Sequence, residues 1–174
     1  QVVPLDDTAG DELPSELFLR QDNQPDHLFY QQPRLVTHID DATIAALTEF
    51  YREFLPAGCD LIDLMSSWIS HLPEELTLGG VIGHGMNGEE LSANPRLSRY
   101  VVQDLNENQQ LPFESESVDR ACIVVSIQYL TQPVSVLKEL HRMLRPGGAL
   151  CIAPAHRCFP TKANRAFPQL NRDD

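Results

Sequence analysis

The chain has 174 residues, enough for one domain with a real core and too few for two ordinary ones. Its 25 acidic residues against 13 basic ones leave a net charge of −12, and a field that negative repels a nucleic-acid backbone, so no nucleic acid is expected as a partner. The longest apolar stretch, ACIVVSIQYL (121–130), is about half as long as a membrane helix requires, so no membrane span is expected either.

Residues 1–33 carry seven acids (Asp6, Asp7, Asp11, Glu12, Glu16, Asp22, Asp26) against Arg20 alone, together with Pro4, Pro14, Pro25 and Pro33. That composition predicts a largely extended arm, either solvated or lying on a basic partner. The sequence opens on Gln1 rather than Met, which fits removal of an upstream segment. A second segment, 34–58, ends in DDATIAALTEFYREFL, where Ile44, Leu47, Tyr51, Phe54 and Leu55 share a helical stripe, Asp40 or Asp41 supplies the N-cap, and Pro56 and Gly58 stop the helix.

The core, 59–155, contains five short apolar runs: DLIDL (60–64), GGVIG (79–83), RYVVQ (99–103), RACIVVS (120–126) and GALCIAP (148–154). Most lack strict alternation, as strands covered on both faces do. Between them, NGEELSAN offers Asn87 as an N-cap with Glu90 three residues on. TQPVSVLKELHRMLRPGG places Pro133 in a first turn, spaces Val136, Leu137, Leu140, Met143 and Leu144 helically, and ends on Gly147 and Gly148. Residues 67–76 suit a short helix capped by Ser66 or Ser67. Strand and helix alternating in this way predict an α/β fold: a Rossmann-like, doubly wound parallel sheet with helices on both faces. A tail, 156–174, completes the chain.

Cys59, Cys122, Cys151 and Cys158 show neither a CxxC pair nor a histidine at zinc-ligand spacing, so they read as small core residues rather than metal ligands or a disulfide framework. A soluble protein of a reducing compartment, cytoplasm or an organelle matrix or stroma, is the corresponding expectation.

In a sheet of this kind ligands bind at the carboxyl ends of the strands, here the turns MSSW (65–68), HGMN (84–87), DLNE (104–107) and IQYL (127–130). The ordered pieces DLIDL, VIGHGMN, VVQDLNENQQLPFESESVD, IVVSIQYL and VLKELHRMLRPGG resemble the core of class I S-adenosylmethionine-dependent methyltransferases, especially the small-molecule type with an LPF…S.D segment. LPFESESVD and LRPGG are the most specific of these. FYQQPRLVTHID, SSWISHLP and RCFPTK further resemble a divergent methyltransferase-like subgroup of photosynthetic lineages. The resemblance implies strand order 3-2-1-4-5 and S-adenosylmethionine as cofactor. It also implies a C-terminal helix and an antiparallel strand pair (β6/β7) beyond the fifth strand, for which about 20 residues leave no room. The uncovered strand edge would then be a template for a protein partner.

By position, the resemblance makes Asp63 the acid that orients the cofactor's ammonium. It makes Asp104 the acceptor for the adenine amine, with the Leu105 N–H facing a ring nitrogen, and puts Ser126, Gln128 and Tyr129 between cofactor and acceptor. The departures are as specific. The three glycines of the usual GxGxG loop fall on Met65, Ser67 and Ile69, and the acid that holds the ribose hydroxyls falls on Gly85. Ser66 and Ser67 at a helix N-terminus, and the Asn87 amide, are the expected compensations. Methyl transfer from a sulfonium needs alignment rather than an obligatory acid–base pair. Should an acceptor have to lose a proton, His38, His71, His84 and Tyr129 are candidate bases. His38 and Tyr129 are taken as the catalytic candidates, with Arg34 and Gln128 as acceptor-binding residues. Two functions follow as expectations: methyl transfer to a small-molecule acceptor, or a catalytically inactive methyltransferase-like subunit or assembly factor of a larger complex. A nicotinamide oxidoreductase is disfavoured, because its pyrophosphate needs the missing glycine turn.

Overall fold

The computed structural model describes residues 14–37, 39–154, 159 and 161–165. Strands β1 (Leu61–Leu64), β2 (Val81–Gly85), β3 (Arg99–Val102), β4 (Val118–Val124) and β5 (Leu144–Ala153) build one sheet in the order β3-β2-β1-β4-β5. Every pairing is parallel. The order reverses at β1, which puts a crevice over the carboxyl ends of the central strands.

β1 and β2 are buried along their whole length, the polar Asp63 and His84 included, as strands covered on both faces are. One face packs Ile62, Leu64, Ile82 and Ile123 against Val136, Leu140 and Met143 of the helix Pro133–Met143. The other packs Leu61, Val81, Cys122 and Cys151 against Leu47, Tyr51 and Leu55, contributed by the helix Asp41–Phe54 and its C-cap. In chain order these helices are α1 (Asp26–Phe29), α2 (Asp41–Phe54), α3 (Gly88–Ala93) and α4 (Pro133–Met143). Asp40 caps α2 by accepting from Thr43 N–H, Asn87 caps α3 by accepting from the N–H groups of Glu89 and Glu90, and Pro133 opens α4.

Three expectations are corrected. First, residues 67–76 form no helix. His71 stands at φ 54, Pro73 follows it, and Arg96 from the α3–β3 connection donates to the carbonyls of Pro73 (2.6 Å) and Leu76 (2.8 Å), so the backbone is held in an irregular path. Second, α4 ends at Met143 and β5 already begins at Leu144. Between Val118↔Leu144 and Arg120↔Ala149 the register shifts, and Gly147 at φ 81 lies in the extra residues of β5. Third, the described part of the acidic arm is packed rather than extended. Asp26 is 4 % exposed and Arg20 7 %, Arg20 bridges to Asn164, and the fully buried Lys162 ammonium lies 3.0 Å from Asp26 and 3.2 Å from Asp22. The basic partner of this stretch is the chain's own tail. Among the described residues the sheet ends at β5, which pairs with β4 alone.

Candidate cofactor site

A cavity of about 410 Å³ lies at the carboxyl ends of β1–β4, with Tyr30, Arg34, Val36 and Thr37 of the N-terminal segment forming its roof. That volume is within the range of small-ligand pockets. Asp63, Ser66, Ser67, Asn87, Asp104, Leu105, Ser126, Tyr129 and Arg34 all line it. Gln128 does not: it is buried, its amide donates to the Val125 carbonyl (2.9 Å), and the expectation that it touches an acceptor is not met by its position. His38 lies outside the described residues.

Asp63 is 6 % exposed. Its Oδ2 accepts from Ser66 Oγ at 2.7 Å and from Ser70 Oγ at 2.5 Å, while Asn94 holds Ser70 by donating to its Oγ (2.8 Å). Burial pushes the Asp63 carboxyl up, and the two hydroxyls only partly oppose that. The serines therefore do something other than cap a helix: Ser66 orients the acid of β1, and the Ser67 carbonyl accepts from Asn94 Nδ2 (3.0 Å). Ser70 and Asn94 carry no sequence signal, since they meet only because the loop after β1 folds back onto the end of α3.

Two departures from the family pattern prove to be one structural feature. Met65 keeps the glycine-like conformation of the turn, φ 56, despite its side chain. The chain then crosses the end of β2, where Ser66 N–H donates to the His84 carbonyl at 2.7 Å. A Cβ on Gly85 would stand 2.6 Å from the Ser66 carbonyl oxygen. No carboxylate side chain fits at position 85 while the turn takes this path.

Asp104 Oδ1 accepts from Asn106 N–H (2.8 Å), and burial, the largest influence, raises its carboxyl. Asn106 joins the roof to the floor: its Nδ2 donates to Asp26 (2.8 Å) and the Tyr129 carbonyl (3.0 Å), and its Oδ1 accepts from Thr131. Burial opposes ionisation of Asp26, but hydrogen bonds from Arg20, Lys162 and Asn106 outweigh it and keep that carboxyl below the ordinary range. Asn87 does two jobs, capping α3 and donating its Nδ2 to the carbonyls of Tyr30 (3.0 Å) and Gln31 (3.2 Å). Its expected ribose contact has to compete with these. Trp68 Nε1 donates to Val36 O, a further tie between the β1 turn and the roof.

Arg34 is the one Lys or Arg among the described lining residues, and its guanidinium lies over the rings of Phe29 (4.5 Å), Phe159 (4.9 Å) and Tyr30 (5.8 Å). The Tyr129 hydroxyl accepts from Phe159 N–H (2.9 Å), and Ser126 Oγ donates to the Val124 carbonyl (2.9 Å). Val125, between them, has φ 52, a strained conformation for a β-branched residue and one that concentrates at functional sites. His71 lines the cavity with its imidazole lowered by burial, and His84 lines it with burial lowering its imidazole to about 4, so both are neutral near pH 7. No group of three or more His, Cys, Asp or Glu residues able to hold a metal occurs among the described residues.

A methyltransferase-domain family model matches residues 83–152. A demethylmenaquinone methyltransferase of Protochlamydia amoebophila (strain UWE25) is 36% identical over 58 residues, which is 33% of this chain and 23% of that protein. The chain thus spans about a quarter of the length of the curated relatives it matches. Among solved structures, an S-adenosylmethionine-dependent methyltransferase from Mesorhizobium loti superposes with TM-score 0.52 at 21% identity, covering 62% of this chain and 53% of that one. The [4+2]-cyclase SpnF superposes with TM-score 0.54 at 17% identity, covering 72% and 55%. The domain match over residues 83–152 and the sheet order together make the chain similar in fold to class I S-adenosylmethionine-dependent methyltransferases. Among the described residues, no helix is long and apolar enough to cross a membrane.

Proposed function

We propose that this domain binds S-adenosylmethionine in the cavity at the ends of β1–β4 and serves methyl transfer to a small-molecule acceptor. The observation that carries the reading is Asp63: a deeply buried carboxyl on the cavity wall, fixed by two hydroxyls, with no basic side chain paired to it among the described residues. A buried acid so placed is completed by a cation, and the ammonium of a methionine moiety is one. The donor set fits the cofactor at its two ends, Asp63 for the ammonium and Asp104 for the amine of the base, with Leu105 beside it. At the ribose the usual carboxylate is absent, because Gly85 stands in its place.

When bound, the cofactor supplies an electrophilic methyl group on sulfonium. The chain's own contribution is alignment and exclusion of water. Tyr30, Arg34 and Phe159 close the cavity from above, Ser126 and Tyr129 line its floor beside β4, and Arg34 is the cationic contact for an anionic or electron-rich acceptor. Tyr129 and His71 are the groups positioned to take a proton from an acceptor, and His38 remains a candidate from the sequence. Titration calorimetry with S-adenosylmethionine is expected to give binding that Asp104→Ala weakens about tenfold, the loss of one hydrogen bond to a charged group. No heat at several hundred micromolar cofactor overturns the proposal.

A second reading is favoured by a different observation. Beside β5, which among the described residues pairs with β4 alone, lies an apolar groove lined by Ile39, Leu47, Phe50, Cys151 and Ile152, in which Phe50 is 43 % and Ile152 41 % exposed. An inactive, methyltransferase-like subunit would bury that strip against a protein partner. It predicts a chain that self-associates or co-purifies with a partner and binds no cofactor. A monomer that binds cofactor counts against it.

A further inference from the structure

His84 occupies the fourth position of β2 and is 1 % exposed. Among the described residues neither Nδ1 nor Nε2 has a hydrogen-bond partner, although His84 lines the cavity. An imidazole buried with both nitrogens unmet loses the hydrogen bonds that water gave it, and such groups are rare unless ordered water or a ligand completes them. Its neighbours on that face of the sheet are apolar. Leu64 aligns with it on β1, since Asp63 pairs with Gly83, and Ile82 lies two residues before it on β2; neither carries a side-chain hydrogen-bonding atom. The cavity is the direction from which a partner can come.

The chemistry of that partner is constrained. A neutral imidazole donates from one nitrogen and accepts at the other, so it matches a group that also does both, which is a hydroxyl. A second unmet atom lies close along the sheet. Gln103 follows β3 two residues after Val101, the register partner of His84; its Oε1 is buried with no hydrogen-bond partner among the described residues, while its Nε2 is committed to the carbonyls of Asn108 (2.9 Å) and Gln110 (2.7 Å). One donor-acceptor ring and one acceptor at the ends of adjacent strands form a pair of contacts for neighbouring hydroxyls. Meanwhile Gly85, next to His84, cannot carry an acid, because the Ser66 carbonyl fills that space.

We propose that His84, with Gln103 beside it, hydrogen-bonds the sugar hydroxyls of the ligand held in this cavity, an uncharged contact in place of a carboxylate. The proposal rests on the reading that the ligand is S-adenosylmethionine or its demethylated product. It makes recognition of the sugar independent of a charged side chain on β2, and it makes His84 a specificity-determining residue for ribose over deoxyribose.

The test is a cycle in which the contact is removed from each side. Calorimetry is run with S-adenosylhomocysteine and its 2′-deoxy and 3′-deoxy analogues on the wild-type chain, on His84→Phe and on His84→Gln, each checked for folding by circular dichroism. The expected result is roughly tenfold weaker binding of at least one deoxy analogue to the wild type. His84→Phe should lose a similar factor toward S-adenosylhomocysteine and almost nothing further toward that analogue, and His84→Gln, which keeps a donor and an acceptor, should recover most of the affinity. If the wild type binds all three ligands equally, or His84→Phe loses the same factor toward ribose and deoxyribose forms, the contact does not exist and a bound water satisfies the ring. The deoxy series on the wild type alone decides the matter should His84→Phe not fold. If the wild type binds none of the three, the reading of the cavity as a cofactor site falls, and the proposal falls with it.

Discussion

At the scale of single residues, the site is a set of buried polar groups whose partners were chosen unevenly. Asp63 has two hydroxyls, Asp26 has three nitrogen donors, and His84 has none. The resemblance singled out Asp63, inside the DLIDL run, and Asp104, just after RYVVQ, and both line the cavity. It did not find Ser70, Asn94 or Asn106, whose roles exist only after distant loops meet. His84 was legible as a histidine but not as an orphan. Its neutral form in the fold has a measurable consequence. The ring titrates near 6.5 when unfolded and near 4 when folded, so as pH falls through that window the unfolded chain takes up a proton that the native one refuses. The native state therefore loses up to about 3 kcal/mol between pH 6.5 and 4 through this group alone. Asp63, with its carboxyl raised, works in the opposite sense, and Asp26, with its carboxyl lowered, in the same sense. Both persist in His84→Leu, so the difference between the two proteins isolates the ring. Urea denaturation at stepped pH should show the wild type losing stability relative to His84→Leu on acidification; parallel curves would contradict the buried, unpaired ring.

At the scale of elements, the apolar runs located all five strands, and Asp40, Asn87 and Pro133 marked the starts of α2, α3 and α4. What was not legible was where backbone paths are set by other elements. Residues 67–76 read as a short helix capped by Ser66 or Ser67, yet Asn94 and Arg96 hold the carbonyls of Ser67, Pro73 and Leu76 from outside. Met143 and Leu144 continue a helical period, yet pairing with Val118 draws Leu144 into β5. The missing glycine loop and the missing ribose acid looked like two losses. They are one, because the turn through Met65 and Ser66 lies over the end of β2. It follows that restoring the acid alone is harmful. Gly85→Asp places a Cβ 2.6 Å from the Ser66 carbonyl and is expected to cost about 1–3 kcal/mol of stability in chemical denaturation without improving cofactor binding. A stable Gly85→Asp with tighter cofactor binding would show that the turn moves aside freely.

At the scale of the whole molecule, the N-terminal segment and residues 161–165 are strapped together over one side of the cavity. Asp22 N–H donates to Thr161 O, Arg165 N–H to Leu19 O, and Lys162 sits between Asp22 and Asp26. Composition suggested an extended acidic arm, either solvated or lying on a basic partner, and no local pattern couples Asp26 to the distant Lys162. Lys162→Ala leaves the buried Asp26 with Arg20 as its one remaining cation, beside the neutral Asn106 amide, and is expected to cost about 3 kcal/mol. Hydrogen exchange should then rise first in residues 19–30, the roof, with β1 and β4 still protected; unchanged protection there would mean the strap holds without its lysine.

The account's central claim is that the ends of β1–β4 form a cofactor site, roof included. Amide chemical-shift mapping with S-adenosylhomocysteine tests it most directly, because it reports place as well as binding. Saturable shifts are expected at Asp63–Ser67, His84–Asn87, Gln103–Asn106 and Ser126, together with Tyr30 and Arg34 in the roof, and little change along α4. Absence of shifts at millimolar ligand, or shifts confined to the groove between α2 and β5, would contradict it.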